Sequence, residues 1–225
     1  MAELVVALDV AEAEQGIALA QSLQGTAPWV KIGLELFTLG GAGIVAACKN
    51  MGFKVFLDLK FYDIPNTVAG AVSAAASMGV DMLTLHTQGG EAMCRAARAA
   101  CQQCATKPLL FGVTVLTSMA DGDLPAHKGN LGQLAVSLAQ GAERWGLDGV
   151  VCSGHEVQRI KQVSPNLLCL TPGIRPAGSA VGDQKRVMTP QQAVAAGSDF
   201  LVIGRPITRH EHPAQAAQAI MHSMS

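Results

Sequence analysis

Short apolar runs recur along the chain, each separated from the next by a longer stretch of helix-forming residues. Leu4–Leu8, Trp29–Ile32, Lys54–Leu59, Met82–His86, Leu109–Leu116, Gly149–Cys152, Leu167–Leu170 and Phe200–Ile203 have the length and continuity of strands buried on both faces. Between them, residues 11–23, 35–50, 67–78, 91–104, 131–145, 156–163, 190–196 and 213–222 are rich in Ala, Leu, Gln and Glu, the composition of helices. Eight strands alternating with eight helices predict a parallel sheet with right-handed crossovers. Spread over 225 residues, each unit takes about 28, which fits a single closed (β/α)8 barrel. An open doubly wound sheet is the other arrangement that this alternation allows.

Composition narrows the classes. Hydrophobic residues make up 49% of the chain and charged ones 15%, which favours a large core over a disordered chain. A formal net charge of −1 supplies no basic field for nucleic acid and no polybasic patch for a membrane. No run approaches the roughly 18 apolar residues that span a bilayer, and the opening M-A-E-L-V-V lacks the charged start of a signal peptide. The six scattered cysteines are therefore expected as reduced thiols in a cytoplasmic protein. Cys101-x-x-Cys104 has no second cysteine pair to make a zinc site, and His210-x-His212 has no carboxylate at a useful spacing. Neither predicts a metal centre. No shift in composition divides the chain, so residues 1–225 are expected to form one domain.

Charge is concentrated at the ends of strands. Asp9 ends the first strand, the second carries Lys31, and the third ends in Asp58 and Lys60. In a strand, residues two apart project to one side, so Asp58 and Lys60 should point together. Asp63 follows, beyond the strand, where Pro65 and Asn66 signal a turn into a helix. A barrel gathers its active site at the C-terminal ends of its strands, so these charges should meet on one rim. Carboxylates on either side of a lysine favour its protonated form. His86, at the end of the fourth strand, reads as a hydrogen-bonding rim residue.

A second group follows the last strands. Gly204 and Arg205 lie just past the eighth, and T-P-G-I-R-P-A-G-S-A-V-G-D-Q, after the seventh, contains Arg175 and Gln184. Loops in these two places commonly bind phosphate in this fold. Glycine lets the backbone approach an anion, and arginine can grip two phosphate oxygens. Thr117–Asn130 and Gly173–Met188 are long connections, expected as binding loops or lids.

The block D-L-K-F-Y-D-I-P-N-T, from Asp58 to Thr67, resembles the signature of the orotidine 5′-phosphate decarboxylases. A-L-D, K-I-G-L-E-L-F, V-T-V-L-T-S, T-P-G-I-R-P with G-D-Q, and V-I-G-R-P-I extend the resemblance along essentially the whole chain. It implies decarboxylation of orotidine 5′-phosphate to uridine 5′-phosphate without a cofactor, in a homodimer. It further implies that Asp9 and Lys31 face the ribose, and that Lys31, Asp58, Lys60 and Asp63 form an alternating charge array in which Lys60 protonates C6. Asp63 and Thr67 would reach into the neighbouring subunit's site. Thr117 and Ser118 would lie near the pyrimidine. Gln184 would bridge pyrimidine and phosphate, with Arg175, Gly204 and Arg205 along the phosphate. Related sugar-phosphate enzymes share the D-x-K-x-x-D core but carry an acidic residue in place of Lys31 and bind Mg²⁺ with it. A lysine there repels a cation.

Overall fold

The computed structural model describes residues 2–124, 127–176 and 187–224. Its elements are β1 (Glu3–Ala7), α1 (Ala13–Leu23), β2 (Trp29–Gly33), α2 (Leu34–Asn50), β3 (Lys54–Phe61), α3 (Pro65–Ser77), β4 (Met82–His86), α4 (Gly90–Gln103) and β5 (Leu109–Val113). They continue with α5 (Leu131–Arg144), β6 (Gly149–Val151), α6 (Gly154–Val163), β7 (Leu168–Thr171), α7 (Pro190–Ala195), β8 (Phe200–Ile203), α8 (Arg205–Thr208) and α9 (Pro213–Ser223). The eight strands pair in parallel, each with its neighbour in sequence, and β1 closes on β8. The fold is the (β/α)8 barrel expected from the alternation.

Each strand buries two faces, for two different reasons. Leu4 and Val6 of β1, Val30 and Ile32 of β2, and Leu83 and Leu85 of β4 pack outward against the helices. The alternate positions Val5, Ala7, Trp29, Phe56, Met82, Phe111, Phe200 and Val202 fill the barrel interior. Phe200 stands edge-on to both Trp29 and Phe111, with ring centroids at 5.6 and 5.8 Å. Gly149 makes room for this cluster: a Cβ there would stand 2.6 Å from the Leu168 carbonyl and collide with the Phe111 ring.

Helix starts carry their own signals. Ser153 with Glu156, and Thr189 with Gln192, form capping boxes at α6 and α7. Proline opens α3, α7 and α9 at a position where the helix needs no N–H. α2 is interrupted at Gly41, whose φ of 50° breaks the helical path.

The base of the barrel repeats one device three times. Gly79, Gly146 and Gly197 adopt positive φ of 78°, 82° and 98° after α3, α5 and α7, and each is followed two residues later by an aspartate. Asp81, Asp148 and Asp199 accept the backbone N–H of Val55, Leu110 and Cys169, each at 2.7 Å. Each also pairs with a cation of the helix that leads into that strand: Lys49 of α2 at 2.6 Å, Arg98 of α4 at 2.6 Å and Lys161 of α6 at 2.8 Å. Their carbonyls in turn accept from Leu109, Leu168 and Glu3, so every such aspartate joins three strands. Pro28 holds the corresponding place before β2, where its carbonyl accepts from Lys54 at 3.0 Å. Proline supplies neither an N–H nor a carboxylate there.

Most element ends fall within one or two residues of the sequence-based expectation, and two departures are larger. β5 ends at Val113 rather than Leu116, because its neighbour β6 ends at Val151 and Thr114 spends both its N–H and its hydroxyl on the Val151 carbonyl. Val115 then packs with Leu131 and Ala135 of α5. The other is α8, a single turn that the apolar periodicity did not mark.

Candidate active site

The inward-facing series of the first four strands changes character at the top of the barrel. Val5 and Ala7 give way to Asp9, Trp29 to Lys31, Phe56 to Asp58 and Lys60, and Met82 to Thr84 and His86. The Lys31 ammonium lies 2.9 Å from Asp9 Oδ1 and 3.7 Å from Asp58 Oδ2. The Lys60 ammonium lies 2.9 Å from the same Asp58 oxygen. The four residues thus form a chain of alternating sign, Asp9–Lys31–Asp58–Lys60. Lys31 and Asp58 are buried, whereas the Asp9 carboxylate is open to solvent.

Burial alone would raise the Asp58 pKa. The Lys31 and Lys60 charges, with hydrogen bonds from Lys60 and from the Thr84 hydroxyl at 2.9 Å, outweigh it and hold Asp58 below the usual carboxylate range. Burial also pushes His86 down, helped by Lys60, with Asp58 opposing. Its ring stacks at a tilt on Tyr62, 5.5 Å away.

The backbone is unusual at the same place. Pairing between β3 and β4 runs from Leu57↔Leu83 directly to Phe61↔Leu85, so β3 carries extra residues across the Asp58–Lys60 segment. Lys60 has φ of 52°, the one non-glycine positive φ among the described residues. That conformation costs an L-residue about 1–2 kcal/mol. Strain of this kind concentrates at functional sites.

Beneath the charges lies a cavity of about 160 Å³. Lys31, Asp58, Lys60 and Thr117 line its mouth, and Phe56, Val151, Leu170 and Val202 its apolar depth. Gly33 borders the Lys31 ammonium closely, since a Cβ there would come within 2.8 Å of Nζ. Gly204 stands beside Asp9, where a Cβ would lie 3.8 Å from Oδ2. Arg205 opens α8, next to it.

The remaining expected residues are placed differently. Arg175 is buried, its backbone N–H donating to Met188 and its guanidinium to the Ile174 carbonyl at 2.9 Å. Ser118 is exposed on the turn after β5 and does not line the cavity. Asp63 and Thr67 are exposed and likewise outside it, and Asp63 Oδ1 accepts the Ile64 N–H at 2.6 Å. Gln184 lies outside the described residues. Two residues that the sequence reading passed over belong to this site's geometry. They are Gly33, against Lys31, and Thr84, between Asp58 and Lys60. A lone threonine within the apolar run of β4 was the available signal for the second.

Among the described residues, no group of three His, Cys, Asp or Glu side chains is arranged to hold a metal ion. All six thiols are free, and burial pushes Cys48 and Cys94 up to about 11. No described helix is long and apolar enough to cross a membrane.

A family model described as "Orotidine 5'-phosphate decarboxylase / HUMPS family" matches residues 2–220. The chain belongs to this family. Orotidine 5′-phosphate decarboxylase of Nitratidesulfovibrio vulgaris strain DP4 is 56% identical to it, across 100% of this chain and 98% of that protein. The Lawsonia intracellularis enzyme of the same name is 52% identical, with both chains fully covered. A crystal structure of orotidine 5′-phosphate decarboxylase from Lactobacillus acidophilus superposes with a TM-score of 0.87 at 35% identity, again over the whole of both chains. The Lactobacillus acidophilus structure shares the barrel described above.

Proposed function

We propose that this chain, as one catalytic barrel spanning residues 1–225, converts orotidine 5′-phosphate to uridine 5′-phosphate and CO₂ in pyrimidine nucleotide synthesis. The observation that carries the reading is the Asp9–Lys31–Asp58–Lys60 charge chain at the mouth of an apolar cavity. At about 160 Å³ the cavity is smaller than the roughly 300–1,000 Å³ that encloses a drug-sized ligand. It suits the pyrimidine ring alone, with ribose and phosphate lying across the rim. In this pose Asp9 and Lys31 take the ribose, and Thr117 and Ser118 approach the base. Gly204, Arg205, Arg175 and Gln184 serve the phosphate side.

Loss of CO₂ from C6 leaves an electron pair in an in-plane orbital that the ring π system cannot delocalise. The Lys60 ammonium stabilises that charge as it forms and then donates a proton to C6. Nothing in this sequence of steps calls for a cofactor. A unit-charge contact at 4 Å contributes on the order of 4 kcal/mol at an effective dielectric of 20, or about a thousandfold in rate. Enzymes supply roughly 8 to 23 kcal/mol in all, so most of the acceleration must come from binding the parts of the substrate that do not react. Lys31 and Asp58 keep the array preorganised. We also propose a cytoplasmic homodimer in which Asp63 and Thr67 complete the partner's site.

Ultraviolet absorbance of orotidine 5′-phosphate mixed with the protein tests the reading directly. The orotate chromophore should convert to that of uridine, with turnover unchanged by EDTA, and Lys60→Ala should abolish conversion while the nucleotide still binds. No conversion, or conversion that EDTA stops and Mg²⁺ restores, would overturn it in favour of a metal-dependent sugar-phosphate relative. An alanine variant within about tenfold of the parent rate would remove Lys60 as proton donor.

A further inference from the structure

Thr84 sits in the middle of β4, between Leu83 and Leu85, with its side chain fully buried. A buried hydroxyl left without partners costs about 1–3 kcal/mol. This one has two, both on β3. Its proton goes to Asp58 Oδ1 at 2.9 Å, since an ionised carboxylate can only accept. A lone pair receives the Lys60 backbone N–H at 3.0 Å. Thr84 does not line the cavity. It touches two members of the charge chain, one through its side chain and the other through its backbone.

Both bonds fall where the β3–β4 ladder is interrupted. Asp58, Leu59 and Lys60 have no ladder partners on β4, because the pairing passes from Leu57↔Leu83 to Phe61↔Leu85. The Thr84 hydroxyl supplies the Lys60 amide with the acceptor that the ladder no longer provides. The amide it holds belongs to the residue with φ of 52°. A disfavoured backbone conformation persists only where its surroundings fix it. The same hydroxyl also selects the rotation of the Asp58 carboxylate. With Oδ1 turned to Thr84, Oδ2 faces both ammonium groups.

We propose that Thr84 is a positioning residue for the reaction: its hydroxyl ties the Asp58 carboxylate to the Lys60 backbone and so fixes where the Lys60 ammonium stands at the cavity mouth. The inference rests on the reading that Lys60 delivers the proton. Thr84→Val keeps the shape and removes the hydroxyl, whereas Thr84→Ser keeps the hydroxyl. In the valine variant kcat should fall on the order of a hundredfold, the usual consequence of a small misplacement of a reacting group. KM should stay within about threefold, because the phosphate contacts lie on other loops, and the serine variant should recover kcat to within about threefold of the parent.

Circular dichroism and thermal melting establish that each variant is folded. Thr84→Ala repeats the test should valine prevent folding. A folded valine variant with kcat near the parent's, or one that raises KM alone, would overturn the proposal. So would a folded serine variant as slow as valine. A crystal structure of Thr84→Val gives a readout independent of activity. Lys60 should leave the positive-φ region or its ammonium should move off Asp58, and unchanged geometry at both points would defeat the proposal. Should the parent itself fail to decarboxylate the nucleotide, the functional reading falls, and this structural comparison still decides the role of Thr84.

Discussion

Mixing Lys60→Ala subunits with Asp63→Ala subunits should restore about a quarter of all sites, if two chains build each site across a two-fold axis. Asp63 lies between Tyr62 and Ile64, which are 61% and 67% exposed in the single chain. Its carboxylate holds only a neighbouring amide by hydrogen bond, and among the described residues it forms no ion pair. Leu34 and Leu39 on the preceding unit are also more than half exposed. Fully burying a large apolar side chain is worth about 1.5–3 kcal/mol. With some 60% of each surface still open, covering these four would return roughly 4–7 kcal/mol per chain. Contributed by both chains, that is comparable with the 4–15 kcal/mol estimated as the cost of association. Each homodimer lacks one essential group at both sites. In a mixed dimer the Asp63→Ala chain keeps its own Lys60 and receives Asp63 from its partner, so one site of two is whole. Random exchange makes about half the dimers mixed, hence the quarter. Sedimentation and a tagged pull-down verify exchange before activity is read. Activity equal to the sum of the two homodimers, under verified exchange, would place Asp63 in its own chain's site.

Two further substitutions probe the rim. Gly33→Ala adds a methyl 2.8 Å from the Lys31 ammonium, which is the movable end of a side chain. Thermal stability should therefore change little while turnover falls by about tenfold or more, and a variant with normal turnover would show that Lys31 tolerates displacement. His86 titrates lower in the folded protein than in the unfolded chain. As pH drops below about 6.5 the unfolded chain takes up this proton first, so stability is lost from there down through the folded pKa. His86→Gln should reduce the decline of melting temperature over that range, and an identical slope in parent and variant would refute the assignment. Asp58 acts in a separate window: its stabilisation is present above about 3.9 and disappears as pH falls through its depressed folded value.

The strands were legible because a parallel barrel buries both faces of each one, which leaves near-continuous apolar runs. The same signal overran at Val115 and Leu116, which remain apolar because they meet α5 and the cavity rather than a neighbouring strand. α8 escaped because four residues including Pro206 have no period to detect. The charge chain was legible from its placement, with acids and lysines at the ends of three successive strands. The left-handed backbone of Lys60 was not, since nothing about a lysine requires it. Thr84 depends on a shift of register between two strands, and register is a relation that neither strand carries alone. The aspartates of the base share that property, for each acts on a strand in the preceding unit.

Those base aspartates also bear on how the chain is made. Asp81 joins β3 to β5 and Asp148 joins β5 to β7, both between neighbouring segments, so these connections can form while later residues are still being synthesised. Asp199 is different. Its carbonyl receives Glu3 from the opposite end of the chain, and Phe200 beside it completes the ring cluster with Trp29 and Phe111. Until the ribosome has released that stretch, β1 keeps one edge unpaired, with its row of open amides and carbonyls available to any other strand. The growing protein therefore keeps this edge open through most of its synthesis, and the step that closes it is the arrival of β8.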